Sequence, residues 1–110
     1  MLILSGSLNT QNALKIYNES DIILDISKYQ KINLSGNAQS ISLPVINEND
    51  TQVLEIHLFI TTTEIITLTW NDTIKWQNNT ATTELEANKS YEFVFTSISG
   101  TWYGGVVVYE

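Results

Sequence analysis

Few residues in this chain are equipped for covalent chemistry. It carries one histidine, His57, and no cysteine. Nucleophilic hydrolysis needs a base beside an activated hydroxyl, and no Gly-x-Ser-x-Gly segment accompanies His57. Glycoside cleavage needs two opposed carboxylates with one shifted pKa, and nothing in the spacing of Glu84, Glu86 and Glu92 pairs them. A lone histidine without a second nitrogen or sulfur ligand is a poor metal site, so His57, beside Glu55 and Phe59, reads as an ordinary strand residue. Asn47-Glu48-Asn49-Asp50 supplies oxygen ligands but neither the EF-hand spacing nor its turn glycine. The expectation is a protein that is not an enzyme, with no catalytic residue, cofactor or metal site.

The remaining chemistry is aromatic. All three tryptophans lie in two blocks, Leu68-Thr69-Trp70-Asn71-Asp72-Thr73-Ile74-Lys75-Trp76 and Ser99-Gly100-Thr101-Trp102-Tyr103-Gly104-Gly105-Val106-Val107-Val108-Tyr109. Flat rings suit the apolar faces of pyranoses, so Trp70, Trp76 and Trp102 can form a sugar platform. They can equally fill a core or subunit interface, where aromatics bury large areas. Trp70 shares a strand face with Ile66 and Leu68, which favours burial. Tyr103, on the face opposite Trp102, is the better exposed aromatic.

Glycines inside a strand cost backbone entropy. Gly104-Gly105 therefore implies a bulge or a close approach, by a neighbouring subunit or by an aromatic of the same chain. Val106-Val107-Val108 is apolar on both faces and must be covered or become an aggregation edge. The expected oligomer core and interface are Trp70, Ile74, Trp76, Trp102, Gly104, Gly105, Val106 and Val108. The expected surface contacts are Tyr103 and the loop residues Gln77, Asn78 and Asn79.

The elements that must position these residues are strands. No segment has a firm helical period; residues 9–18 carry Ala13, Leu14 and Tyr17 at helical spacing, but Leu14 and Ile16 fit a strand equally well. Ile22, Leu24 and Ile26 alternate with Ile23 and Asp25. Ile32 and Leu34, then Ser35-Gly36-Asn37-Ala38, then Ile41 and Leu43 read as a hairpin around a Gly-Asn turn. Pro44 ends that strand, and residues 47–50 form a loop. Residues 53–61 make the longest strand, with Leu54, Ile56, Leu58 and Ile60 on one face and a half-buried opposite face. Ile66, Leu68 and Trp70 share a face. Residues 91–97 and 101–109 close a final hairpin around Ile98-Ser99-Gly100. The expected fold is all-β with little or no helix: a single antiparallel β-sandwich, jelly-roll-like or barrel-like. Residues 1–30 read as an N-terminal arm or first strands with a possible attachment role, and residues 31–110 as the main domain.

Composition narrows the partners. The chain has 110 residues, 5 basic and 12 acidic, for a net charge of −7. Phosphate binding depends on cations displacing condensed counterions, so nucleic acid and anionic membrane are not expected partners. The absence of cysteine gives no disulfide framework. Met1-Leu2-Ile3-Leu4 is too short for a signal-peptide core, and no run is long enough to span a bilayer. Synthesis and folding in a cytosol are expected.

The order Ser42-Leu43-Pro44, a long alternating strand, Thr69-Trp70, Ile74-Lys75-Trp76, a polar loop, an aromatic strand and Ser99-Gly100-Thr101-Trp102-Tyr103-Gly104 resembles the small all-β domains of bacteriophage tail-fibre, head-fibre and baseplate-associated proteins. The resemblance covers roughly residues 32–109. It departs at Asn71, where those domains usually have proline, and at Thr83, near their second proline. It implies a virion protein made in the bacterial cytoplasm: a stand-alone component or fibre tip, homotrimeric, contacting other virion proteins and in some cases a host-surface glycan. The rivals are a monomeric carbohydrate-binding module, which predicts a coplanar exposed aromatic pair, and a purely structural capsid decoration protein docked through residues 1–29.

Overall fold

A computed structural model describes residues 13–46 and 53–110. The expected loop at residues 47–50 and the start of the N-terminal arm lie outside them. Ten strands follow in order: β1 Lys15–Tyr17, β2 Asp21–Ile23, β3 Tyr29–Ile32, β4 Ala38–Ser42, β5 Leu54–Thr61, β6 Ile66–Trp70, β7 Ile74–Trp76, β8 Glu84–Leu85, β9 Ser90–Ile98 and β10 Thr101–Tyr109. The only helical element among the described residues is a short 3₁₀ turn, Gln77–Asn79. The strands form a six-stranded sheet, β1-β3-β5-β9-β10-β7, and a four-stranded sheet, β2-β4-β6-β8. The fold is an all-β sandwich.

Strand pairing corrects the expectation of an antiparallel sandwich, because both sheets are mixed. β1, β3 and β5 run parallel in the large sheet, and β2, β4 and β6 run parallel in the small one. From β1 to β6 the chain alternates between layers, laying each strand from β3 onward beside the one two before it. Parallel neighbours need a crossover, and here the crossover is a strand of the opposite sheet. The segment read as a hairpin around Gly36 is instead an arc: β3 lies in the large sheet and β4 in the small one. Gly36 has a φ of +111°, and Leu34 packs against the core as the chain crosses. Alternation fixes which side chains point inward but not whether the next strand lies beside or across.

Three buried polar side chains hold crossings among the described residues. Gln30 is fully buried; its Nε2 donates to the carbonyls of Asp25 and Ser27 at 2.7 and 2.6 Å, and its Oε1 accepts the Tyr17 hydroxyl at 2.7 Å. The Tyr17 hydroxyl also accepts the Asp25 N–H. Buried Gln39 bridges the Glu19 carbonyl and the Ser35 N–H. The Thr62 hydroxyl donates to the Glu86 carbonyl at 2.6 Å and accepts the Lys89 N–H at 3.1 Å. Residues 15–30 thus contribute Tyr17, Ile22, Leu24 and Gln30 to the same interior as the later strands.

In the second half β9 runs antiparallel to both its neighbours, while β7 runs parallel to β10. β9 pairs with β5 and with β10 in unbroken registers, and Ser99 and Gly100 turn the final hairpin with φ of 50° and 83°. Its inner face stacks Tyr91, Phe93 and Phe95, with Trp70 and Trp76 packed edge-on against the two phenylalanines. The β9–β10 ladder runs through Gly104 and Gly105 without a bulge.

Candidate functional site

The long registers arrange the outer face of the large sheet in cross-strand rows. One row reads Glu55, Thr96, Tyr103, Lys75. The next reads Tyr29, His57, Val94, Gly105. A third reads Lys31, Phe59, Glu92, Val107. Directly paired side chains on one face stand about 5 Å apart, close enough to act together.

The β5 side of this face is bonded to itself. His57 Nδ1 lies 2.7 Å from Glu92 Oε2, and His57 Nε2 meets Glu55 Oε2. The Tyr109 hydroxyl donates to Glu92 Oε1 at 2.8 Å. The Tyr29 ring covers His57 at 5.4 Å between centroids. Ionised carboxylates only accept, so the imidazolium, with both nitrogens protonated, satisfies both neighbours. Burial alone lowers the His57 pKa, but the hydrogen bonds it donates to Glu92 and Glu55 outweigh it and hold it above the usual value. The His57 hydrogen bond lowers both Glu55 and Glu92. Neither ring nitrogen is free to ligate a metal.

The β7 side is built around Gly105. Beyond Trp76 the chain leaves β7 into the 3₁₀ turn, where Asn78 and Asn79 adopt left-handed backbone with φ of 58° and 57°. That turn carries the Gln77 side chain over the strand, placing Oε1 2.8 Å from where a Cβ on Gly105 would stand. A cleft of about 400 Å³ results, lined by Lys75, Trp76, Gln77, Val94, Thr96, Tyr103, Gly104 and Gly105. A second depression of about 230 Å³ shares Trp76, Gln77 and Gly105 and adds Asn78, Thr80, Thr82 and Val106. Tyr103 is 43% exposed at the wall of the larger cleft. A ring face flanked by a cation, an amide and hydroxyls can stack on one face of a sugar and hydrogen-bond its rim.

The residues expected at this site divide. Tyr103 and Gln77 meet in the cleft, Asn78 lines the depression beside it, and Asn79 is exposed but lines neither. Trp102 is buried at 5% exposure, and Trp70, Ile74, Trp76 and Val106 pack half-buried against the core. Trp70 and Trp76 touch at 5.2 Å with planes 59° apart, so they offer no coplanar platform. Trp70 Nε1 donates to the Thr82 carbonyl and pins the loop after β7. The close approach at Gly104 comes from within the chain: a Cβ there would stand 3.0 Å from Ile74 Cγ2 and 3.1 Å from the Phe95 ring. Val108 is 45% exposed.

Sequence reasoning missed the join of His57 to Glu92 and Tyr109, because the three lie on separate strands. The signal was their placement at outward positions of strands that pair. Asn71 is tied to β4. Its N–H donates to the Ile41 carbonyl, a bond proline cannot make, and its side chain donates to the Ser40 and Ser42 hydroxyls. Set against known protein families, curated proteins and solved structures, the chain matches none.

Proposed function

We propose that the chain is a virion protein of the phage-fibre type, structural and adhesive, which assembles with copies of itself into a closed homo-oligomer. A homotrimer is the expected form, and other virion proteins are its neighbours. The observation that carries this reading is the outward edge of β10. β9 lines one edge of β10 throughout, but β7 ends opposite Gly104, so among the described residues no strand lies along the other edge of residues 105–109. Val107, Val108 and Tyr109 on that stretch are each about half exposed, at 47%, 45% and 50%. An unpaired strand edge with apolar side chains on both faces is a template for another chain. A second copy supplies hydrogen bonds and apolar cover together, and closed symmetry covers that edge in every subunit. Several weak contacts in one assembly then act by avidity.

Charge on that edge tests the reading. Val107→Lys is expected to dissociate the assembly into folded monomers, read by sedimentation and circular dichroism. An assembly unchanged by Val107→Lys and by Val108→Glu would contradict it.

A monomeric carbohydrate-binding module is the second reading, favoured by the exposure of Tyr103 beside an open cleft. It requires sugar binding by a chain that stays monomeric.

A further inference from the structure

We infer that the cleft over Gly105 is a binding site for an acidic saccharide, one sugar unit stacked on Tyr103 with its carboxylate at Lys75. The inference deepens the adhesive half of the proposed function, and rests on that reading only for the biological setting of the ligand.

The first ground is the distribution of hydrogen bonds. On the β5 side of the face, Glu55, His57, Glu92 and Tyr109 bond to one another, and Thr61 bonds Ser90. On the β7 side, the side chains of Lys75, Gln77, Thr96 and Tyr103 line one cleft and have no hydrogen-bond or ion-pair partner among the described residues. Four side chains converge with their donors and acceptors unused. Convergent polar groups around an aromatic wall are how pockets orient a ligand.

The second ground is Gly105. Gly104 is explained by packing, since a Cβ there meets Ile74 and Phe95. A Cβ on Gly105 meets only the far end of the flexible Gln77 side chain. The core therefore does not require glycine at 105, although glycine inside a strand costs about 0.5–1 kcal/mol relative to alanine. What its missing side chain makes room for is the Gln77 amide, which lies over Gly105 in the cleft of about 400 Å³.

The third ground is charge. Of the chain's five lysines, Lys89 pairs with Glu86, Lys15 and Lys28 lie over the rings of Tyr17 and Tyr29, and Lys31, on β3 away from the cleft, shares with Lys75 the lack of an ion-pair partner among the described residues. Lys75 has no acidic partner among the described residues. The nearest acid along its own row is Glu55, three strands away and hydrogen-bonded to His57. The net charge of −7 repels anions at long range, but at physiological salt fields decay over about 8 Å. Lys75 therefore sets the local sign. A carboxylate beside it gains a charge-assisted hydrogen bond, while the sugar hydroxyls match Gln77, Thr96 and the Tyr103 hydroxyl. An acidic peptide would use Lys75 but offers no ring of hydroxyls for the other three.

The test titrates the isotope-labelled full chain, followed by its backbone amide NMR signals, with uronate-bearing and sialate-bearing oligosaccharides. Their carboxyl-reduced neutral counterparts and a glutamate peptide are run beside them. The expected result is saturable shifts at Gly104, Gly105 and Thr96 with an acidic sugar, and binding of its neutral counterpart about tenfold weaker. Lys75→Met should bring the acidic sugar down to the neutral level, and Tyr103→Ala should lose both, each variant keeping a dispersed native spectrum. No shift at Gly105 with any acidic sugar, equal affinity for acidic and neutral forms, or tighter binding of the glutamate peptide would each overturn the inference. Solution mass is measured separately on the same sample, so failure of sugar binding and failure of assembly are distinguishable.

Discussion

The carbonyl oxygen of the Gln77 side chain sits 2.8 Å from where a Cβ on Gly105 would stand, while a Cβ on the neighbouring Gly104 would press on the Phe95 ring at 3.1 Å. Two adjacent glycines thus answer to different neighbours. Gly104→Ala should destabilise by about 1–3 kcal/mol, because Ile74 and Phe95 are packed core side chains that cannot yield cheaply. Gly105→Ala should leave stability unchanged or raise it by about 0.5–1 kcal/mol, since Gln77 can swing out to solvent. Urea unfolding of both variants checks the pair, and equal losses would contradict this assignment.

A second prediction concerns pH. The folded-state pKa of His57 is raised, so its contribution is fully present below the unfolded value of about 6.5 and is lost as pH rises through the folded pKa. Glu55 and Glu92 are lowered, so their contribution is present above their ordinary 4.5 and is lost as pH falls through their folded values. Stability from this cluster should peak between those two ordinary values and decline toward alkaline pH. Thermal melts from acid to mild alkali should show the decline in the native chain and a flatter profile in His57→Gln. An unchanged alkaline slope in His57→Gln would show that another group titrates.

The third prediction tests how the layer crossings are held. Gln30→Leu keeps the volume but strips the Asp25 and Ser27 carbonyls and the Tyr17 hydroxyl of their partner. Each buried group left unsatisfied costs about 1–3 kcal/mol. A loss of about 2–4 kcal/mol in chemical denaturation is expected, with faster hydrogen exchange in residues 24–28. A loss under about 1 kcal/mol would mean that water replaces the amide.

The inward faces of β5 and β6, and the last hairpin with its turn, were legible in the sequence because alternation reports burial directly. Ile56, Leu58 and Ile60 are fully buried, and Tyr103 and Trp102 take opposite faces as their spacing requires. Which strand pairs with which was not legible. Gly36 sits where a hairpin turn and an arc look alike, and the difference rests on Gln30 and Gln39, two polar residues whose buried role no hydropathy pattern announces. The cleft was half legible: Tyr103 and Gln77 stood out singly. Their meeting with Lys75 and Thr96 depends on the parallel β7–β10 pairing, which joins segments far apart in sequence.

Trp70 offers a fourth check. Its indole N–H holds the Thr82 carbonyl at 2.8 Å, and its ring packs on Trp76, Phe93 and Phe95. Trp70→Phe should keep most of the ring packing but free the loop after β7, costing about 1 kcal/mol and exposing residues 80–83 to proteolysis. Unaltered cleavage there would assign the loop's order to other contacts.

The most direct test of the proposed assembly is the solution mass of the purified full chain, by light scattering over a wide concentration range. The open β10 edge predicts a stable multiple of the chain mass, with three copies expected, unchanged on dilution. A clean monomer at every concentration would contradict the assembly and leave the edge at residues 105–109 without the partner this account assigns to it.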